Sequence, residues 1–384
     1  MIFDSPALEA LDHEVLGLIQ AQRQLLRHHV GQNPTRWRGF IRKNTFARAL
    51  QGSNSIEGYT ANLTEAVAII DEERPETLEE ETLKALQGYR TAMAYIMAVH
   101  DDPYTQITLE LIRSLHYMML SYDLTKLPGQ WRPNPIYVLD EVAQEIVYEG
   151  PEAAAVPALM EALVRQINET RADSPPIVQA AMAHLNLAMI HPFKDGNGRM
   201  ARALQTLIIS RNDASSPVFS SIEEWLGRNT PAYYALLKEV GEGRWSPQNS
   251  ALPWVRFCLR AHYQQAATLL RRNAHMGQVW ARVSQLVAAH KLPERTESAL
   301  VEAAFGYTLR NHRYRVENEI SDVVASRDLK RLCDLDLLIP KGEKRGRTYV
   351  AAPALRALWS DTLHRRRSDD PYALAREKQT PLLF

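Results

Sequence analysis

The chain has 384 residues, 45% of them hydrophobic and 23% charged, with 45 basic residues against 45 acidic ones. This composition excludes an extensively disordered chain and predicts two domains with a small appended module. Cys258 and Cys333 lie far apart and belong to no CxxC pair, which excludes a disulfide framework or a cysteine-zinc cluster and fits a reducing compartment.

The N-terminus, MIFDSPALEALDHEV, carries acidic residues where a signal peptide carries positive charge. No run approaches the roughly 18 uninterrupted apolar residues of a membrane span. A cytoplasmic protein with no membrane partner is therefore expected. Residues 276–384 hold 19 Lys+Arg against 14 Asp+Glu, and residues 1–275 hold 26 against 31, so the C-terminal end is the more basic one.

Most of the first 275 residues read as helix, with apolar residues recurring at three and four in ALEALDHEVLGLIQAQRQLL, TLKALQGYRTAMAYIMAV, TLELIRSLHYMMLSYDL, AVPALMEALVRQINE and PIVQAAMAHLNLAMI. The fold class is all-α, a helical bundle. Along the way, NTFARALQGSNSIEGYT predicts a helix capped by Asn44 and stopped by Gly58 in the left-handed conformation. Ser53 and Glu57, four apart, share one face of it. KLPGQWRPNPIYVLDEVAQEIVYEGP then interrupts the bundle with Pro and Gly punctuation and two short β-branched and aromatic runs, Ile136 to Leu139 (with Tyr137 and Val138 between) and Glu145 to Tyr148. These predict a projecting β-hairpin.

HPFKDGNGRMAR, residues 191–202, is the densest chemical stretch. The apolar helix before it runs into His191, and Pro192 resists continuation. With the next helix beginning near Arg199, Gly196, Asn197 and Gly198 fall at a helix N-terminus, where free N–H groups and the dipole favour an anion. The two glycines remove Cβ atoms that would block a phosphate. Arg199 and Arg202 are one helical turn apart and can reach the same polyphosphate. Asp195 is suited to Mg²⁺, which takes one or two carboxylates, water and phosphate oxygens. His191, with an ordinary pKa of about 6.5, is the residue of the loop suited to accept a proton near neutrality. An HExxH zinc hydrolase is disfavoured because the second histidine is missing.

Downstream, RRNAHMGQ at 271–278 reads as a separation before helical segments near 279–290, 296–305 and 317–324. A short helix from Ser326 to Leu335, a strand start, a Gly/Lys/Arg turn and a returning strand at Thr348 to Ala351 then outline a winged helix-turn-helix. Arg327, Lys330 and Arg331 on its helix and Lys341, Lys344, Arg345 and Arg347 on its wing are candidate DNA phosphate contacts. Asp328, Asp334 and Asp336 weaken that basic face, and a protein-contact or dimerisation module is the competing reading. The last stretch, from Arg365, reads as a loosely held tail.

The 191–202 stretch resembles the Fic family signature H-P-F-x-D/E-G-N-G-R-x-x-R at every specified position. SNSIEG, ahead of it, is similar to that family's inhibitory motif S/T-x-x-x-E-G/N. The resemblance implies an all-α Fic-type bundle with a β-hairpin flap and a C-terminal winged helix, divided as 1–100 (inhibitory helical region), 101–275 (catalytic core) and 276–384 (winged helix and tail). It implies transfer of AMP from ATP, with Mg²⁺, to a Ser, Thr or Tyr hydroxyl of a target protein or of the chain itself, with pyrophosphate leaving. His191 would deprotonate the hydroxyl, Asp195 hold Mg²⁺, residues 196–198 cradle phosphates, and Arg199 and Arg202 take the outer ones. Ser53, Glu57 and Gly58 would form the brake, with Glu57 pairing with Arg202 so that ATP binds unproductively. The flap at Ile136, Tyr137, Val138 and Leu139 would align the target's backbone. Tyr233, or else its neighbour Tyr234, would stack on the nucleotide base.

Doc-like relatives that phosphorylate targets depart from the signature at the second glycine, so Gly198 favours nucleotidyl over phosphoryl transfer; choline-nucleotide donors are also used in the family. Removal of AMP, with Glu57 positioning a water, and a nucleotide-sensing DNA-binding regulator are the alternative readings, and the family admits a homodimer.

Overall fold

In a computed structural model of the full chain, the described residues are all except 34, 141–144, 170–173, 212–215, 344–345, 361–368 and 380–384. They fall into two units, one of residues 1–28, 39–267 and 369–384, the other of residues 29–38 and 268–368.

The first unit is helical. Its elements are α1 (Ala10–Gln32), α2 (Thr35–Ile56), α3 (Leu63–Ile70), α4 (Glu80–Val99), α5 (Leu109–Leu120), a 3₁₀ turn at Leu124–Lys126, the hairpin strands β1 (Tyr137–Asp140) and β2 (Glu145–Glu149), α6 (Val156–Asn168), α7 (Pro176–Ile190), α8 (Asn197–Arg211), α9 (Pro217–Ser220), α10 (Glu223–Arg228), α11 (Thr230–Gly241) and the start of α12 (Leu252–Ala289). At its centre lie α7 and α8, which are buried on nearly every face. A helix without a polar face belongs inside a bundle, which is what the almost unbroken apolar runs IVQAAMAHLNLAMI and ALQTLII dictate. Trp254 of α12 closes the core over α7, its indole N–H donating to the Ala181 carbonyl at 2.7 Å.

Beyond α12 the second unit continues with α13 (Thr296–Ala304), β3 (Leu309–Arg310), α14 (Asn311–Glu317), α15 (Asp322–Asp334), β4 (Leu338–Lys341), β5 (Thr348–Ala351) and α16 (Pro353–Ser360). Its sheet is antiparallel in the order β3-β5-β4. Leu300, Val301, Leu329, Leu332, Leu338 and Leu355 form its core.

Several sequence expectations are corrected. Asn44 does not cap a helix: α2 begins at Thr35 and passes through it, and the buried Asn44 side chain accepts from Arg48 Nε one turn on at 3.1 Å. RRNAHMGQ does not break the helix, although the division between the two units falls close to it, at 267/268. It contains no proline, and buried Met276, Val279, Trp280 and Val283 carry the apolar spacing through it, so α12 is one helix of 38 residues. The helix expected at 317–324 straddles a break: α14 ends at Glu317, Glu319 is left-handed (φ 52°), and Ser321 caps α15, its hydroxyl accepting from Val324 N. The C-terminal stretch is not all a loose tail, since residues 371–379 form α17 (Pro371–Gln379) in the first unit, where the Tyr372 hydroxyl donates to Asp12 at 2.9 Å.

Candidate active site

A cleft of about 880 Å³ opens between the end of α2, the hairpin, the 191–198 loop and the start of α11. That volume lies within the range of small-molecule sites. The loop is shaped by its own sequence. α7 ends because Pro192 cannot continue it, and His191 adopts the left-handed conformation (φ 50°, ψ 57°) with its N–H still bonded to Leu187 O. Asn197 pins the turn, its side chain accepting from Phe193 N and donating to Phe193 O, both at 2.9 Å. Its side chain thus serves the loop and leaves any anion to backbone N–H groups. Gly196 is left-handed (φ 75°), and a Cβ there would lie 2.7 Å from Leu120 Cδ1. α8 begins at Asn197, two residues earlier than the sequence suggests, so Gly198 and Arg199 lie in the first turn, whose N–H groups have no intrahelical acceptor.

His191 Nδ1 lies 3.1 Å from the Ala188 carbonyl, which assigns the proton to Nδ1 and leaves Nε2 with a lone pair. Burial pushes the imidazole pKa below its ordinary value, so the ring is neutral at pH 7. Phe193 is fully buried and stacked on His116 at 3.6 Å between centroids.

Arg202 meets the end of α2. Its Nη2 is 2.6 Å from Glu57 Oε1 and 2.9 Å from the Ser53 carbonyl, and its Nε donates to Ser53 Oγ at 2.8 Å. Gly58 follows in the left-handed conformation (φ 85°) and turns the chain away. A Cβ on Gly198 would sit 2.4 Å from Glu57 Oε1, so the motif glycine is also what admits the glutamate. Arg199 is wholly buried, and among the described residues none of its guanidinium nitrogens has a hydrogen-bond partner; it sits over the Tyr59 ring, with Asp195 Oδ1 3.8 Å from its Nη2. A buried guanidinium with unspent donors fits a polyphosphate.

Asp195 receives Gly196 N on Oδ1 and pairs through Oδ2 with Lys126 Nζ at 2.9 Å. Burial raises its pKa, but the Lys126 hydrogen bond and Arg199 outweigh that and hold the carboxyl below the usual range. Among the described residues no cluster of three or more His, Cys, Asp or Glu could hold a metal. A single ionised carboxylate fits Mg²⁺ carried with nucleotide phosphates, and not a protein-caged ion.

β1 and β2 pair antiparallel beside the cleft, with an irregular register between Val138 and Leu139. The hairpin is shifted by one residue from expectation, as Ile136 precedes β1. Tyr137 and Leu139 are exposed, Ile136 and Val138 line the cleft with them, and the hairpin's turn falls outside the described residues.

Tyr233 is not presented to solvent. It is 1% exposed, its hydroxyl donates to His184 Nε2 at 3.0 Å, and its ring packs against His184, Trp254 and Tyr234. Both tyrosines line the cleft, and Tyr234 is the more open of the two, 45% exposed, with its hydroxyl donating to the Ile56 carbonyl.

Three supporting residues escaped the sequence reading. His116 donates through Nε2 to Asp195 O and accepts Gly129 N on Nδ1, and burial pushes its pKa down to about 4. Arg132 donates from Nε to the His191 carbonyl and from its other nitrogens to Asn134 O and Pro151 O, tying the loop to the base of the hairpin. Lys126 holds Asp195. Each acts through tertiary contact, which no local spacing encodes.

Residues 106–209 match the family described as Fic/DOC. It is 27% identical over 268 residues to the protein adenylyltransferase Fic of Nematostella vectensis, covering 66% of this chain and 55% of that one. It is 28% identical over 220 residues to the protein of the same name from Drosophila virilis, covering 56% and 41%. The chain thus spans about half the length of these curated relatives. Among solved structures it resembles a Fic family protein from Desulfovibrio desulfuricans G20, with a TM-score of 0.58 at 19% identity over 91% of this chain and 98% of that one. It also resembles Fic-1 (aa134 - 508) from C. elegans, with a TM-score of 0.55 at 21% identity over 68% and 72%. At these identities the structures establish a shared fold.

Proposed function

We propose that the chain is a self-inhibited protein adenylyltransferase that moves AMP from ATP to a hydroxyl side chain of a protein, itself included. The observation that carries this is the neutral His191 in one cleft with the Gly196–Gly198 turn, at the start of the helix whose buried Arg199 guanidinium has no hydrogen-bond partner among the described residues. His191 Nε2 takes the proton of the target hydroxyl, the oxygen attacks the α-phosphorus, and the bond to the β-phosphate breaks to release pyrophosphate. Arg199 and Arg202 hold the outer phosphates. Asp195 would hold Mg²⁺, which would supply charge neutralisation of the leaving group. Names borne by the Nematostella and Drosophila relatives agree with this reaction.

Ser53, Glu57 and Gly58 are the brake in this reading: Glu57 and Ser53 engage Nη2 and Nε of Arg202, so the γ-phosphate would have to displace them to gain the guanidinium. Exposed Tyr137 and Leu139 beside the cleft suit an extended target segment added to the hairpin. Tyr234, by its exposure, is the better candidate for the base.

In the second unit, the order helix, strand, helix, helix, strand, strand supports a winged helix spanning α13 to β5. Asp328 is turned into its core, paired with Arg295 at 2.6 Å and bonded by Tyr314, which leaves Arg327, Lys330 and Arg331 exposed on α15. Lys341 and Arg347 flank the wing, while Lys344 and Arg345 lie outside the described residues. DNA or a second copy of the chain are the partners this surface admits. A cytoplasmic setting and the 1–100, 101–275 and 276–384 division belong to the same proposal; no described helix is long and apolar enough to cross a membrane.

The test is incorporation of α-phosphate-labelled ATP into the protein and a lysate, comparing the native chain, Glu57→Gly and Glu57→Gly/His191→Ala. Strong label in the first variant, little in the native chain and none in the double variant is expected. Absence of label in all three, with ATP still bound, would transfer the assignment to AMP removal or nucleotide sensing.

A further inference from the structure

Lys126 ends the 3₁₀ turn after α5 and belongs to neither sequence motif. Asp123 caps that turn by accepting Thr125 N, and Leu127 leaves it in the left-handed conformation (φ 52°), so the lysine backbone is fixed. Its Nζ lies 2.9 Å from Asp195 Oδ2, 3.2 Å from the Tyr59 hydroxyl and 3.4 Å from Glu81 Oε1. The side chain is 18% exposed. The cation therefore has two acids within reach, one in the phosphate loop and one outside it.

We propose that Lys126 is the resident cation of the Asp195 carboxylate, a positioning residue that neutralises it in the absence of a divalent ion and thereby sets how strongly nucleotide binding depends on metal. The inference deepens the nucleotide reading of the 191–202 loop and rests on it. A bare carboxylate beside a polyphosphate repels it, and a lysine 2.9 Å from that carboxylate cancels the repulsion. When a cation and phosphates claim Asp195, Lys126 is not stranded as a buried unpaired charge, because Glu81 and the Tyr59 hydroxyl are already within its reach. Tyr59 directly follows Gly58 and its ring lies under Arg199, so the exchange also touches the segment that carries Glu57. A lysine that merely fastens the 3₁₀ turn to the loop is the simpler alternative, and the two differ in one readout.

That readout is the ratio of ATP dissociation constants in EDTA and in excess Mg²⁺, measured calorimetrically on the full chain carrying His191→Ala to prevent turnover. Lys126→Gln in that background is expected to raise the ratio at least tenfold, chiefly by weakening metal-free binding, and Lys126→Arg to restore it. Should Lys126→Gln not fold, the exposed Glu81→Gln supplies the reverse case: Lys126 loses its second acid, stays on Asp195, and the ratio falls at least threefold. An unchanged ratio, including both constants moving together as a purely structural lysine would make them, overturns the proposal. ATP that binds with an unchanged ratio removes this inference alone, whereas no ATP binding in any variant removes the proposed function with it.

Discussion

Arg202 of α8 and Glu57, in the turn directly after α2, meet at 2.6 Å with Ser53 supplying two further acceptors to the same guanidinium. The arginine is 1% exposed and the glutamate 22%, so the pair is screened from water on one side only. A contact of that kind is strong enough to hold the arginine and open enough to be exchanged for a phosphate.

Glu57→Gly should raise adenylyl transfer. A hydrogen bond to a charged group contributes roughly 1.5–3 kcal/mol, which corresponds to about a tenfold to hundredfold gain. The same change leaves Arg202 without its anion, so the melting temperature without nucleotide should fall and be recovered by ATP. Differential scanning calorimetry with and without ATP checks this; a melting temperature that falls and ignores ATP would argue against a phosphate at Arg202.

Arg199→Met should separate stability from binding. A buried guanidinium with no hydrogen-bond partner costs desolvation, and apolar replacement of buried charge is often neutral or stabilising by roughly 1–4 kcal/mol. The expected outcome is an unchanged or higher urea midpoint together with ATP affinity lowered at least tenfold. Lower stability with intact ATP binding would show that Arg199 has a structural partner instead.

Acid should destabilise the fold through its buried histidines. Burial pushes His116 down to about 4 and His184 to about 3, against the smaller opposing effect of their hydrogen bonds. Both folded values lie below the ordinary 6.5, so the unfolded chain binds more protons as pH falls. Their stabilising contribution is present above pH 6.5 and is lost as the pH drops toward the folded values. The slope is about 1.4 kcal/mol per pH unit for each histidine, up to about 4 kcal/mol for the pair between pH 6.5 and 5. Buried His262 and His191 are shifted the same way, so urea unfolding at several pH values should show that slope reduced, not abolished, in His116→Gln. For His191 the same direction places the acid limb of the activity profile below pH 6.5, because the base must be neutral to work.

Tyr233 and Tyr234 should respond in opposite ways. Tyr233→Phe removes the donor to buried His184 and should cost about 1–3 kcal/mol in stability, with ATP affinity kept. Tyr234→Ala should leave stability within about 0.5 kcal/mol and weaken ATP binding. Calorimetric titration and urea unfolding of both variants check this. The reverse pattern would return the base-stacking role to Tyr233.

The local chemistry was the most legible part of the molecule. His191, Gly196, Gly198 and Arg202 sit where a contiguous motif puts them, because a helix stop, a left-handed glycine and a helix start are properties of neighbouring residues. Ser53 and Glu57 were equally readable, being one helical turn apart. What composition could not reveal was contact between distant segments. His116 supports the loop from α5, Arg132 from before the hairpin and Lys126 from a 3₁₀ turn, and none of the three stands out in its own window. Tyr233 and Tyr234 look alike in sequence, and their different burial, 1% against 45% exposed, follows from packing in the bundle. Asn44 and the 271–278 stretch misled because polar residues and a single glycine resemble boundaries, yet tertiary packing carries a helix through both.

Gly52 and Gly227 cross with so little room that a Cβ on Gly227 would lie 2.7 Å from Gly52 Cα, and one on Gly52 would lie 2.5 Å from Glu223 O. The end of α2 is therefore wedged backbone to backbone against α10, one residue before Ser53. Such a joint has no slack, and the helix cannot retreat from the cleft by degrees. Freedom is left beyond it, in the partly exposed carboxylate of Glu57 and the left-handed turn at Gly58. If Glu57 is the proposed brake, its release would need no more than a rotation about the side-chain bonds of one residue, as a key turns in a fixed lock.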